Sequence, residues 1–174
     1  MAIRPIITLP DPVLRKTSQP VEAVDDETRR LIADMFDTMY DAPGIGLAAP
    51  QIGVLRRVLV LDDARGEEEK RPIAMINPEI LGYGDESRLH EEGCLSIPDM
   101  FAEVERPASV TVRYVDERGL LVERVCEGLL ATIVQHEVDH LNGVLFIDHL
   151  SRLRRELLIK KFYKTRREAH SGNL

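Results

Sequence analysis

The chain has 174 residues, 44% of them hydrophobic and 30% charged, and a formal net charge of −7. That is the size and composition of one compact globular domain, expected to span residues 1–174. No apolar run approaches the ~20 residues that cross a bilayer. The start "MAIRPIITLPDP" is broken by prolines and lacks a signal-peptide core, so a cytoplasmic protein is expected.

In chain order, "DDETRRLIADMFDTMYDAPG" predicts a helix from about 26 to 41. Leu31, Ile32, Met35, Phe36 and Met39 recur at helical spacing, acids sit at its start, and Pro43–Gly44 end it. "GIGLAAPQIG" (44–53) reads as a glycine-rich turn. "RRVLVLDD" (56–63) is a short β-rich run, followed by a charged connection. "IAMINPEI" (73–80) reads as a strand ended by Pro78. "FAEVERP" and "SVTVRYVDERGLLVERV" alternate apolar and polar, with a turn at "DERG". The period then changes. "EGLLATIVQHEVDHLNG" is a strongly apolar helix ending at Asn142–Gly143, and a second helix is predicted from about 151 to 167. Its apolar face is expected to hold Leu153, Leu157, Leu158 and Phe162. Helix, strands, then two helices argue an α+β fold, not a doubly wound parallel sheet. Residues 150–170 carry eight Lys or Arg against Glu156 and Glu168, so an acidic body ends in a basic helix.

The chemistry concentrates in "QHEVDHLNG". His136 and His140 stand four apart, about 40° apart around a helix, and can hold one metal ion. Glu137 is offset but can reach a water beside that ion and move its proton. Unpaired His and Glu would be costly in so apolar a helix, which favours a metal site over chance. The third ligand needs a search. Metzincins place a third His three residues after the glycine of this motif, and here that position is Phe146. Glu156 and Glu168 lie in the basic helix, His149 lies beyond the end of the metal helix, and His90 has no supporting motif beyond two glutamates. Cys94 in "EEGCLSIP" is better placed, and its thiolate would complete a Cys-His-His set with one open position. The plain alternative for Cys94 is a small buried hydrophobe. Cys126 reads as a core thiol. In the glycine-rich stretch the one polar side chain is Gln51, whose carboxamide N–H is a natural oxyanion donor.

"GIGLAAPQIG", "EEGCLSIP" and "QHEVDHLNG", in this order, closely resemble the three signature motifs of peptide deformylases. The resemblance extends over nearly the whole chain, and the long C-terminal helix looks like that of the bacterial type I members. It implies a peptide deformylase-like α+β fold with the HExxH helix packed against antiparallel sheets. Cys94, His136 and His140 would hold the metal, typically Fe(II), with zinc, nickel or cobalt able to replace it. Glu137 would be the general acid/base, and Gln51 with the Leu95 backbone N–H would stabilise the oxyanion. The substrate would be the N-formyl-methionyl end of a nascent polypeptide. It would lie along Ile45–Gly46 and Gly93, with Ile133 near the Met side chain. Many bacterial relatives carry an Arg shortly after the Cys motif, whereas this chain has Phe101. The basic helix could dock on RNA near the ribosomal exit. No membrane and no DNA partner is expected. The rival readings are a zincin-type metallopeptidase, a non-catalytic metal-bound binding module and a structural metal domain.

Overall fold

The computed structural model describes residues 2–172. Helix α1 spans Asp26–Asp41, capped by the Asp25 side chain, which accepts from the Thr28 N–H. The predicted apolar positions turn inward: Leu31, Ile32, Met35 and Met39 are buried and Phe36 packs beside them.

Five antiparallel strands form the main sheet. They are β1 (Gly46–Ala48), β2 (Val58–Leu61), β3 (Ile73–Tyr83), β6 (Ser109–Val115) and β7 (Leu121–Glu127), in the order β1-β2-β3-β6-β7. Side chains of a strand alternate between faces, and along β1, β2 and the first half of β3 both faces are apolar because both are covered. Leu47, Val58, Val60, Ala74 and Ile76 pack with α1. Ala48, Leu59, Leu61, Met75, Val110 and Val112 pack against Ala131, Val134, Val138 and Leu141 of α2 (Gly128–Leu141). Cys126, fully buried in this second layer, is a core thiol as expected.

A separate hairpin is built from β4 (Ser87–Cys94) and β5 (Ile97–Pro107). It packs through Ile97, Met100 and Val104 on Leu145, Phe146, Ile147 and the C-terminal helix α3 (Arg152–Ser171).

Four expectations need correction. The glycine-rich stretch contains β1, followed by a helical turn over Ala49–Ile52. Pro78 does not end β3. The pairing with β6 shifts register between Ile76 and Glu79, Asn77 takes φ 51° there, and a proline fits where no ladder N–H is required. Helix α3 runs four residues past the predicted end, there being no breaker before Gly172. Its buried side is Phe162 with Leu158, Ile159 and Tyr163, whereas Leu153 and Leu157 are exposed.

Candidate active site

Helix α2 presents His136 and His140 one turn apart, with Glu137 offset beside His136, all buried. Cys94 arrives from the end of β4, and its Sγ lies 3.3 Å from His140 Nε2. One donor atom from each of Cys94, His136 and His140 lies within 4.8 Å of the others, a set that could hold a metal ion. A thiolate and two imidazoles are the donors that borderline divalent metals take in sites with an open fourth position. The other ligand candidates, His90, His149, Glu156 and Glu168, are not members of this cluster. His149 instead lies 2.8 Å from Asp139 Oδ2.

The ring of His136 is oriented from behind. Its Nδ1 lies 2.9 Å from Glu92 Oε1. Arg106 holds Glu92 with two bonds, Nε to Oε2 at 2.6 Å and Nη2 to Oε1 at 3.0 Å. The same guanidinium donates to Asp139 Oδ2 at 2.9 Å. Burial alone would raise the Glu92 carboxyl, but the bonds from His136 and Arg106 and the Arg106 charge outweigh it and hold the group at about 2. Glu137 has no such support. Burial pushes it up to about 7, against the opposing charge of His136. Burial, with the charges of His136 and Arg106, keeps His140 well below the usual imidazole range, hence neutral and fit to donate a lone pair. Glu137 Oε2 and His140 Nδ1 are buried polar atoms without a hydrogen-bond partner. Such atoms are costly unless a polar partner reaches each of them.

Gln51 sits in the helical turn after β1, almost wholly buried. Its Oε1 accepts from the Ala48 N–H at 2.9 Å, which fixes the amide so that the NH₂ faces the thiol. Nε2 donates to Ser96 Oγ at 3.0 Å and lies 3.6 Å from Cys94 Sγ. Ser96, Glu92 and Arg106 are members of the site that the motif reading did not single out. For Glu92 a signal was present, an acid two residues before the cysteine.

These groups open on a cavity of about 640 Å³. Its walls include Ile45, Gly46, Gln51, Gly93, Cys94, Leu95, Ile133 and Phe101, together with His136 and Glu137. Two unpaired strand edges flank it, β1 at the end of the main sheet and β4 of the hairpin. Glycine is required on the β1 side. A Cβ on Gly46 would lie 2.6 Å from Glu137 Oε1, so the carboxylate reaches the wall only because the side chain is missing.

The chain matches the family model for polypeptide deformylase over residues 3–156. The chain belongs to the polypeptide deformylase family. It is 63% identical over 167 residues to the peptide deformylase of Agrobacterium fabrum, covering 96% of this chain and 98% of that one. Among solved structures, the peptide deformylase of Legionella pneumophila superposes with a TM-score of 0.88 at 48% identity, covering 97% of this chain and 98% of that one. A Met-Ala-Ser-bound peptide deformylase from Acinetobacter baumannii superposes at 0.82 with 38% identity, covering 86% and 99%. As a peptide deformylase family member the chain is a hydrolase that takes the formyl group from the N-terminus of nascent peptides. The fold is that of the family, antiparallel sheets with three helices, the last of them long. The peptidase and binding-module readings are not favoured. A closed structural metal site would require four protein ligands, and the described residues bring together three.

Proposed function

We propose that Cys94, His136 and His140 hold one divalent cation, and that this chain uses it to hydrolyse the formyl group of N-formyl-methionyl polypeptides. The observation that carries the reading is the meeting of Cys94 with both histidines beside a buried, unpartnered Glu137 oxygen. The donor set fits such an ion by its chemistry. When bound, the cation supplies Lewis acidity and acidifies water to near neutrality. Fe(II) is the proposed native ion, with zinc, nickel or cobalt as substitutes.

The remaining steps belong to the chain. Glu137 takes a proton from the attacking water and returns it to the leaving nitrogen. A C–O bond forms at the formyl carbon, the C–N bond breaks, and formate leaves with a free amino terminus. Gln51 Nε2 and the Leu95 N–H donate to the oxygen that gains charge. The substrate backbone adds as a strand between the edges at Ile45–Gly46 and Gly93, and Ile133 packs on the Met side chain. The Met-Ala-Ser peptide held by the Acinetobacter relative is of the class this groove would release.

The α3 surface is the proposed dock for ribosomal RNA, because Arg152, Arg154, Lys160, Lys161, Lys164 and Arg167 are all exposed on it. Cosedimentation with ribosomes should fall with salt and with Lys161→Glu plus Lys164→Glu. Equal, salt-independent binding ends that part. A cytoplasmic location goes with it, and no helix among the described residues is long and apolar enough to cross a membrane.

The deciding experiment is anaerobic purification, metal analysis and a formate-release assay on formyl-Met-Ala-Ser. One equivalent of metal with rapid formate release is expected. Cleavage of blocked internal peptides without formate release would favour the peptidase instead.

A further inference from the structure

Phe146 and His149, neither of them in the donor cluster, stand at the two ends of a helical turn that follows α2. Gly143 makes the reversal at φ 73°, and the Val144 N–H donates to the Asp139 carbonyl at 2.9 Å, so the turn lies back against α2. Asp148 fixes it, accepting from the Leu145 N–H and pairing with Arg15. The buried Phe146 ring stacks on that of His136, centroids 6.1 Å apart and planes at 21°. His149, at the exposed end, meets the same machinery from another side. Its Nε2 lies 2.8 Å from Asp139 Oδ2 and 3.4 Å from Arg106 Nη1. A carboxylate only accepts and a guanidinium only donates. The short contact is to the carboxylate, so Nε2 carries a proton and donates it to Asp139. Asp139 Oδ2 thus accepts twice, from His149 and from Arg106 Nη1 at 2.9 Å. Its carboxylate is partly exposed and has no other side-chain partner among the described residues. Without His149, only Arg106 would hold it. The bonds therefore run in series from solvent to the donor cluster: His149, Asp139, Arg106, Glu92, His136.

We propose that His149 is a positioning residue for the donor cluster: its bond fixes the Asp139 carboxylate that anchors Arg106, and through Arg106 and Glu92 it holds the His136 ring in place. This rests on the proposed metal set and deepens it. His149 does not line the cavity, so its effect falls on how firmly the cluster holds a cation and not on substrate contact. Outer partners of a ligating histidine act in this way, by fixing the ring and its tautomer. Hydrogen bonds in series also strengthen one another in a buried site, so loss at the exposed end is felt at the other.

The test is zinc retention by the whole chain against a graded chelator series. His149→Leu removes the donor and should lower retention about three- to ten-fold, the worth of one hydrogen bond. In His149→Gln the amide N–H replaces the imidazole N–H, and retention should return to within about two-fold of the unaltered chain. Coupling separates positioning from general support. Glu92→Gln removes the carboxylate that links Arg106 to His136, so adding His149→Leu to it should cost less than about two-fold more. A residue that only stabilised the fold would cost the same in both backgrounds, and His149→Gln would not restore retention. Where His149→Leu does not fold, His149→Ala takes its place. Unchanged retention without the donor, no recovery in His149→Gln, or full additivity with Glu92→Gln each overturns the proposal while the metal set stands. No zinc held by the unaltered chain overturns both.

Discussion

Glu92 and His136 are joined across the site, Oε1 to Nδ1 at 2.9 Å, with Arg106 bonded to both Glu92 oxygens from the far side. The carboxylate accepts at Nδ1, so a ring proton is held there and Nε2 is turned toward the thiol and the cavity. A carboxylate behind a ligating histidine also makes the ring a stronger donor. Glu92→Gln keeps an acceptor near Nδ1 but loses the charge. It should weaken metal retention by about 10- to 100-fold, read by competition against a graded chelator series. Unchanged retention would mean that the pair serves only packing.

The same carboxylate sets an acid limit on stability. Its pKa in the folded chain, about 2, lies below the ordinary 4.5. The stabilisation is therefore complete above about pH 5 and is lost as pH falls through the carboxylate range toward 2. The shift corresponds to roughly 3 kcal/mol. In Glu92→Gln the midpoint of thermal unfolding should drop at pH 7, because Arg106 loses its main buried partner. The variant should also show a shallower fall between pH 5 and 3 than the unaltered protein. Parallel acid limbs would assign the acid sensitivity to other groups.

Glu137 is the proton carrier in the proposed reaction and no member of the donor cluster. Glu137→Gln should retain the metal and lose about 10²- to 10⁴-fold in kcat. Metal analysis and formate release on the same preparation separate the two effects. Turnover near that of the unaltered chain would remove Glu137 from the mechanism.

Gln51 is fixed at both ends, by the Ala48 N–H on Oε1 and by Ser96 on Nε2. Removing the donor in Gln51→Ala should cost about 10²–10³ in kcat. Ser96→Ala leaves the donor but loosens it, and a single hydrogen bond is worth up to about ten-fold. The order matters: a Ser96 variant as damaged as the Gln51 variant, with metal content kept, would make the serine more than a support.

How far the sequence could be read follows from which residues carry each element's pattern. Helices α1 and α2 were legible because their buried residues are apolar and periodic. The donor cluster was legible through Cys94, His136 and His140 because each belongs to a short motif. Strand β4 was not. Its one well-buried position is Glu92, a charge where a strand pattern requires an apolar residue. Only the Arg106 partner, fourteen residues on and across the hairpin, makes that burial tolerable. Leu153 and Leu157 misled for the opposite reason: helical spacing groups them with Leu158 and Phe162, but the hairpin that α3 packs against covers only the side with Phe162. Ser96 was silent because a small hydroxyl carries no periodic signal, and its meaning lies wholly in a bond to Gln51 from another element.

Gly46 gives the last test, because two buried groups close on its α-carbon. A Cβ there would lie 2.6 Å from Glu137 Oε1 and 3.0 Å from Ile133 Cγ2. Both side chains are only 4% exposed and backed by α2, so neither has room to retreat. Gly46→Ala must therefore shift β1 or turn the Glu137 carboxylate. A displacement of about 1 Å at a proton carrier costs on the order of 10² in rate. Gly44 supplies the comparison. Its added Cβ would meet Leu95 Cδ1 at 2.7 Å, the far end of a half-buried and movable side chain. Gly44→Ala should thus be the milder change. If kcat on formyl-Met-Ala-Ser falls equally in both variants at equal metal content, crowding of Glu137 is not what Gly46 prevents.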